Sequence, residues 1–142
     1  MSKCGHKIVI LTGVDKVGKT SIWEEINKQT KYKHFIIDRF VEGFLAYKEL
    51  YNKPDELCNP IELELFDKKI SELPHILIHL DCSTEELTRR FKEHNEPWID
   101  IDKNRKIYEK YVNKSPLQKI KIDTTNRTAK DVVEELIKLN LI

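Results

Sequence analysis

The stretch that decides how this sequence is interpreted reads Gly13-Val14-Asp15-Lys16-Val17-Gly18-Lys19-Thr20-Ser21. Residues 13–20 fit the pattern G-x-x-x-x-G-K-[ST] at every fixed position. An uninterrupted apolar run at residues 8–11 precedes the pattern, and apolar residues at helical spacing follow it over residues 19–30. A buried strand, a glycine loop and a helix in this order predict a phosphate-binding loop, called the P-loop below. An ordinary glycine turn before a helix is the alternative.

The residue types of the P-loop suit the binding of a triphosphate. Gly13 and Gly18 allow the backbone to point several N–H groups into one concavity. The following helix adds the positive end of its dipole. We expect the Lys19 ammonium to reach the β- and γ-phosphates and the Thr20 hydroxyl to ligate Mg²⁺. The motif therefore predicts that the chain binds ATP and Mg²⁺.

The remaining sequence alternates short apolar runs with helical patterns, which predicts one α/β domain over residues 1–142. Strands are predicted at 8–11, 34–37, 76–80 and 117–122, and helices at 19–30, 41–51, 61–70, 84–94, 103–112 and 128–140. The expected architecture is a three-layer α/β/α sandwich with a mostly parallel sheet of about four strands.

Composition limits the classes of partner. The 142 residues carry 25 basic and 24 acidic side chains, a balance that argues against a broad nucleic-acid-binding face. No apolar run approaches the roughly 20 residues of a membrane span, and we expect no signal peptide. The three cysteines are Cys4, Cys58 and Cys82, an odd number without a CxxC pair. They are typical of reduced thiols, and we expect a cytoplasmic protein.

A second constellation, Asp38-Arg39, follows the second predicted strand. Ligands of open α/β sheets bind at the carboxyl ends of the strands, so this pair is expected beside the P-loop. A carboxylate there can orient an attacking hydroxyl or hold a metal-bound water. A guanidinium can grip a phosphate with two hydrogen bonds. The alternative is a surface ion pair, which contributes little.

Four segments of the chain, in order, resemble thymidylate kinases. They are the P-loop with Asp15 at its third position, Asp38-Arg39-Phe40 with Ala46-Tyr47, His79-Leu80-Asp81 before Arg89-Arg90, and Ile122-Asp123-Thr124 before residues 132–135. The resemblance implies the P-loop NTPase fold of nucleoside monophosphate kinases. It also implies an ATP- and Mg²⁺-dependent transfer of the γ-phosphoryl group to a nucleotide, with dTMP the leading acceptor.

The resemblance also assigns roles by position. Asp15 would face the acceptor, Lys16 would neutralise charge on the transferred phosphoryl group, Asp38 would support the metal or the acceptor, and Arg39 would clamp the acceptor phosphate. The remaining roles are acceptor contacts by Phe40 and Tyr47, adenine or lid contacts by Arg89 or Arg90, and an adenine border formed by Thr125 and Asn126.

The spacing departs from that family. Gly18 and Asp38 are only 20 positions apart, where the family has a long segment that forms much of the acceptor pocket. A shortened kinase could take a larger acceptor, such as a polynucleotide 5′-hydroxyl or a modified base in DNA. A nucleotide-binding regulator without catalysis is a third alternative. Short kinases of this kind are familiar from phages, which favours a viral source in a host cytoplasm. A homodimer is compatible with the resemblance.

Other residues give weaker predictions. Residues 92–112, with Trp98 and Arg105, are a candidate lid over ATP. Phe44 and Tyr51 are expected in the core beside Tyr47, which the resemblance brings near the acceptor base. Asp81 is expected either to touch a metal-bound water or to cap the next helix.

Overall fold

The structure, a computed structural model, describes residues 5–38, 40–52, 59–94 and 100–142. Its strands are β1 Ile8–Thr12, β2 Phe35–Asp38, β3 His75–Asp81 and β4 Lys119–Asp123. Its helices are α1 Lys19–Thr30, α2 Val41–Leu50, α3 Pro60–Ser71, α4 Thr84–Glu93, α5 Ile101–Lys114 and α6 Ala129–Lys138. The predicted α/β alternation is confirmed, and each predicted element ends within about two residues of the observed one.

The four strands form one parallel sheet in the order β2-β1-β3-β4. Leu11 on β1 is in register with Asp38 on β2, and Asp81 on β3 is in register with Asp123 on β4. The carboxyl ends of all four strands therefore lie along one edge. In this topology that edge is where a ligand is expected.

Successive residues of the strands face opposite sides of the sheet. Val9 and Leu11 pack with apolar side chains of α1, α4 and α6, whereas Ile10 faces the other side with Leu77 and Val112. Helices α2, α3 and α5 lie on that second side. The result is the predicted three-layer sandwich, with the central strands covered on both faces.

Helix α1 begins without a side-chain cap. Its N-cap is Gly18, in a left-handed conformation at φ 107°. The N–H groups of its first turn therefore stay available to a ligand. Within the described part of the chain, no helix combines the length and apolarity needed to cross a bilayer.

Candidate active site

The P-loop presses closely against β3. Gly13 has φ 150°, and a Cβ at this position would lie 2.3 Å from the carbonyl oxygen of Leu80. No side chain fits there, so the first glycine of the motif is required by the approach of two backbone segments. Lys16, at φ 68°, is a second residue of the loop in the left-handed region.

The motif lysine lies across this loop. Lys19 is 9% exposed, and its Nζ donates a hydrogen bond of 2.6 Å to the carbonyl oxygen of Gly13. The ammonium is also 6.0 Å from the ring centroid of Tyr108 on α5. Val14 packs with Tyr108 and Ala46, so α2 and α5 support the loop from below.

A cavity of about 770 Å³ opens above the P-loop and is called the loop cavity. It is lined by residues of the loop and of α1, by Asp38, by side chains of α4 and by the start of α6. Its walls include Asp15, Lys16, Val17, Gly18, Lys19, Thr20, Ser21, Asp38, Arg89, Arg90, His94, Thr124, Arg127 and Thr128. The structure thus brings most of the predicted donor-site residues together with Asp38.

Two arginines of α4 approach the loop cavity in different ways. Arg90 donates from Nη1 to the carbonyl oxygen of Lys16 at 2.9 Å and from Nε to Glu86 at 3.1 Å. Among the described contacts, Arg89 forms ion pairs only within α4: its Nη2 lies 2.5 Å from Glu86 Oε1 and its Nη1 lies 2.8 Å from Glu93 Oε1. Arg89 and then Arg90 lower the pKa of Glu86 to about 2. Arg90 therefore ties α4 directly to the P-loop backbone.

The segment after β4 reaches the P-loop through Thr124, a residue to which the sequence assigned no role. Its hydroxyl is buried and lies 3.0 Å from the carbonyl oxygen of Val17. Thr125 and Asn126, the predicted adenine border, are not among the described residues that line the loop cavity. The Thr125 hydroxyl instead accepts a hydrogen bond from the backbone N–H of Ser83 at 2.9 Å.

A second cavity, of about 170 Å³, lies between α2 and α5 and is called the tyrosine cavity. It is lined by Asp15, Gly43, Phe44, Tyr47, Leu50, Tyr51, Asn104 and Tyr108. Asp15 and Tyr47 were predicted on the acceptor side, and the structure places both here. Gly43, Asn104 and Tyr108 could not be found from the sequence, because no motif marks them.

The expectation that Phe44 and Tyr51 pack in the core is wrong. They are 47% and 52% exposed, and their stripe of α2 borders the tyrosine cavity rather than the sheet. The rings of Tyr47 and Tyr51 lie with centroids 4.6 Å apart. Helical spacing identified a shared face, but it could not show what that face packs against.

Phe40, predicted at the acceptor, packs under the sheet with Ile37 and Ile70. Its ring meets that of Phe66 edge to face at 6.4 Å. The described walls of the two cavities do not include Phe40. Arg39, the predicted phosphate clamp, lies outside the described residues.

The candidate lid divides into three parts. Residues 95–99, with Trp98, lie outside the described residues, and residues 92–94 end α4. Residues 101–112 belong to α5, whose Ile107, Tyr108 and Val112 are buried. In this structure α5 is therefore part of the helical layer under the sheet. A lid role for the whole segment stays a prediction.

Arg105, the proposed lid residue, forms a paired contact with Asp81 at the end of β3. Its Nε and Nη2 each lie 2.9 Å from an oxygen of Asp81. Burial alone would raise the pKa of Asp81, but the hydrogen bonds from Arg105 and from the Cys82 backbone outweigh it and hold the pKa below its usual value. Ser83 caps α4 by accepting from the N–H of Glu86. Of the two alternatives for Asp81 the helix cap is therefore excluded, and contact with a metal-bound water stays a prediction.

The donor atoms in the loop cavity suit Mg²⁺. Thr20 contributes a hydroxyl and Asp38 a carboxylate, both hard oxygen ligands. Among the described residues, no group of three or more His, Cys, Asp or Glu side chains could hold a metal by itself. One or two protein oxygens supplemented by phosphates and water are typical of Mg²⁺ in phosphoryl-transfer sites.

Three solved structures share this fold across nearly the whole chain. YorR from Bacillus subtilis, in complex with phosphorylated GDP, has a TM-score of 0.79 at 19% identity, covering 94% of this chain and 95% of the other. Deoxyadenosine kinase from M. mycoides with bound dCTP gives 0.68 at 17%, covering 95% and 100%. Thymidylate kinase from Ehrlichia chaffeensis gives 0.52 at 14%, covering 95% and 98%. The chain has the fold of P-loop nucleotide kinases.

Sequence comparisons add little to this result. No protein-family model matches the chain. The large ribosomal subunit protein uL24 of Mycoplasma genitalium is 29% identical over 102 residues, which span 64% of this chain and 92% of the ribosomal protein. The structural matches to YorR and to deoxyadenosine kinase cover 94% and 95% of this chain, against 64% for the ribosomal protein. The fold is therefore assigned from the structural matches.

Proposed function

We propose that this protein is an ATP- and Mg²⁺-dependent kinase that transfers the γ-phosphoryl group to a nucleoside or nucleotide, with dTMP as the leading acceptor. One observation carries the proposal: Asp15 lies in the wall of both the loop cavity and the tyrosine cavity. A triphosphate on the P-loop and an acceptor between α2 and α5 would therefore meet at this residue.

On the donor side, the chain supplies positive charge in a fixed geometry. Residues 15–19 of the P-loop, with Lys19 among them, and the uncapped start of α1 all line the loop cavity. Such groups stabilise the charge that develops on the transferred phosphoryl group without reorganising during the reaction. Bound Mg²⁺, held by Thr20 and Asp38, would neutralise further phosphate charge. Lys16 lies in the same wall and would assist in this neutralisation.

On the acceptor side, the tyrosine cavity offers aromatic walls and a carboxylate. Tyr47, Tyr51 and Tyr108 provide flat apolar surfaces against which a nucleobase can pack. Asp15 can accept a hydrogen bond from the attacking hydroxyl or from a sugar hydroxyl, which orients the acceptor. Arg39, carried over from the sequence resemblance, would hold a phosphate of the acceptor.

The structural neighbours support an acceptor broader than dTMP alone. The two with the higher TM-scores are described with phosphorylated GDP and as a deoxyadenosine kinase, and the thymidylate kinase has a lower score. Deoxynucleosides and guanine nucleotides therefore belong in the test beside thymidine compounds.

The test is a transfer assay with γ-labelled ATP against a panel of acceptors. The panel contains dTMP, the other nucleoside monophosphates, deoxynucleosides, GDP and a short DNA oligonucleotide with a free 5′-hydroxyl. We expect label on a nucleoside or nucleotide in the presence of Mg²⁺ and no transfer in excess EDTA. ATP binding without transfer to any acceptor would contradict the kinase proposal and favour a regulator.

A nucleic-acid end is the second candidate acceptor. Phe44, Tyr47 and Tyr51 are each about half exposed and form an aromatic surface at the mouth of the tyrosine cavity. Bases of single strands stack on such surfaces. Label on the oligonucleotide, with none on free nucleotides, would replace the first proposal by this one.

A further inference from the structure

Two carboxyl groups are buried together on the side of the sheet away from the loop cavity. Glu42 on α2 is 1% exposed and Asp67 on α3 is 5% exposed. Both oxygens of Glu42 and the Oδ1 of Asp67 are inaccessible to water and receive no hydrogen bond from the described residues. Both side chains line a groove of about 960 Å³ between α2, α3 and α5.

The surroundings of the pair favour a shared proton over a bound metal ion. Lysines already face the groove from three helices, and a further lysine lies on the adjacent edge strand. They are Lys48 on α2, Lys68 on α3, Lys114 on α5 and Lys119 on β4. The carboxylates of Glu49 and Glu64 and the Tyr111 hydroxyl face the same groove, and among the described residues no group of three or more His, Cys, Asp or Glu side chains could hold a metal ion. One proton held between the two buried carboxyl groups satisfies both of them.

The energetics point the same way. A buried carboxylate without a donor is costly, and two such charges in contact repel each other. Burial first, and then the hydrogen bond and charge of Glu42, raise the pKa of Asp67 to about 8. The charge of Glu64 acts in the same direction, and that of Lys119 opposes it. A single proton shared between the two carboxyl groups would relieve both costs, because it removes one charge and supplies the donor that their buried oxygens lack.

We infer that Asp67 is a positioning residue, because its hydrogen bond with Glu42 fixes the first turn of α2, the helix that presents Gly43, Phe44 and Tyr47 to the tyrosine cavity. The inference rests on the proposed function for the role of that cavity. The effect of the pair on α2 itself does not depend on any activity. Asp67 touches neither cavity wall, so it acts only through Glu42.

The sign of the pH effect follows from linkage. The folded-state pKa of Asp67, about 8, lies above its unfolded value of 3.8. The folded state therefore binds more protons between these values. The stabilisation is complete below about pH 4, declines as pH rises, and is lost as pH passes through 8. Above pH 8 we expect repulsion between the two carboxylates to weaken the packing of α2 on α3.

The first experiment compares the wild type with Asp67→Asn, whose amide donates to Glu42 at every pH. Thermal unfolding and hydrogen exchange of the α2 amides are measured from pH 6 to 9, with exchange corrected for the intrinsic chemical rate. We expect the wild type to lose stability and α2 protection relative to Asp67→Asn as pH rises. Glu62→Gln, which removes an exposed carboxylate from the same helix, should retain the wild-type profile. Parallel profiles for wild type and Asp67→Asn would overturn the inference.

The second experiment measures kinetics. Between pH 7 and 9 the acceptor KM of the wild type should rise by roughly tenfold, because the protonated fraction of a group with a pKa of 8 falls from about 0.9 to about 0.1 over this range. The ATP KM should change much less. Asp67→Asn should remove the rise. If that variant fails to fold, Glu42→Gln supplies the same permanent donor from the other side. An equal rise in both KM values would also overturn the inference. If no acceptor is phosphorylated, the proposed function fails, while the exchange data still decide the role of the pair.

Discussion

The Nζ of Lys19 lies 2.6 Å from the carbonyl oxygen of Gly13, so the lysine of the P-loop is hydrogen-bonded to the first glycine of the same motif. This contact folds the side chain back across the loop and leaves it 9% exposed. A cation held in this way faces an anion in the loop with little loss of conformational freedom on binding.

Replacing Lys19 by Met should remove this charge while keeping most of the side-chain volume. We expect phosphoryl transfer to fall by about 10³-fold or more, because a single cation at the transferring phosphate contributes on that order. The measurement is kcat with labelled ATP, together with circular dichroism to verify the fold. Lys28→Met, an exposed lysine on the same helix, is the control and should stay near wild type. Wild-type turnover by Lys19→Met would rule out the assigned role.

Gly13→Ala should destabilise the protein and disrupt the P-loop. The added Cβ would meet the Leu80 carbonyl oxygen at 2.3 Å, at a φ that alanine rarely adopts. We expect the free energy of unfolding to fall by about 2 kcal/mol or more. Denaturant titration measures this change. Gly5→Ala is the matched control, since nothing lies within 4 Å of a Cβ there. Equal stability of the two variants would contradict the close packing of the loop on β3.

Tyr47→Ala should act on the acceptor and leave ATP nearly unaffected. Tyr47 lines the tyrosine cavity and not the loop cavity. Loss of one aromatic surface that packs against a base should raise the acceptor KM about tenfold. Steady-state kinetics with each substrate varied in turn make the comparison. Tyr32→Ala, which alters a side chain that is 79% exposed, should change neither constant. If Tyr47→Ala changed the ATP KM more than the acceptor KM, the placement of the acceptor in the tyrosine cavity would be contradicted.

His34 should make the protein sensitive to acid. Burial, and then the charges of Lys33, Lys7 and His6, lower the pKa of His34 from 6.5 to about 4. Its folded-state pKa lies below the unfolded value, so the stabilisation is present above pH 6.5 and is lost as pH falls through 4. The free energy of unfolding of the wild type should therefore fall between pH 7 and pH 4 by about 1–3 kcal/mol more than that of His34→Gln. Denaturant titration at the two pH values measures this difference.

The exposed His94 supplies the control for that measurement. His94→Gln should follow the wild-type acid profile, because this side chain lies at the end of α4 and is open to water. A His34→Gln profile that coincides with both would show that His34 is not the source of the acid sensitivity.

The sequence by itself determined the local features of the protein. The P-loop could be found because its chemistry requires glycines, a lysine and a hydroxyl at fixed spacing along one short segment. Strands and helices could be placed because period-2 and period-3.6 apolar patterns arise from backbone geometry within each segment. The position of Asp38 beside the P-loop followed from a general rule for parallel sheets.

Only the tertiary structure decided which side chains meet across segments. It placed Phe44 and Tyr51 at a cavity instead of in the core, paired Arg105 with Asp81, and buried Glu42 and Asp67 in the wall of one groove. Arg105 and Asp81 are 24 positions apart in the chain, and Glu42 and Asp67 are 25 apart. Phe44 and Tyr51 share their cavity with residues of α5. A periodic pattern shows that a face is apolar, but the partner of that face depends on how distant segments pack. That packing is a property of the whole fold.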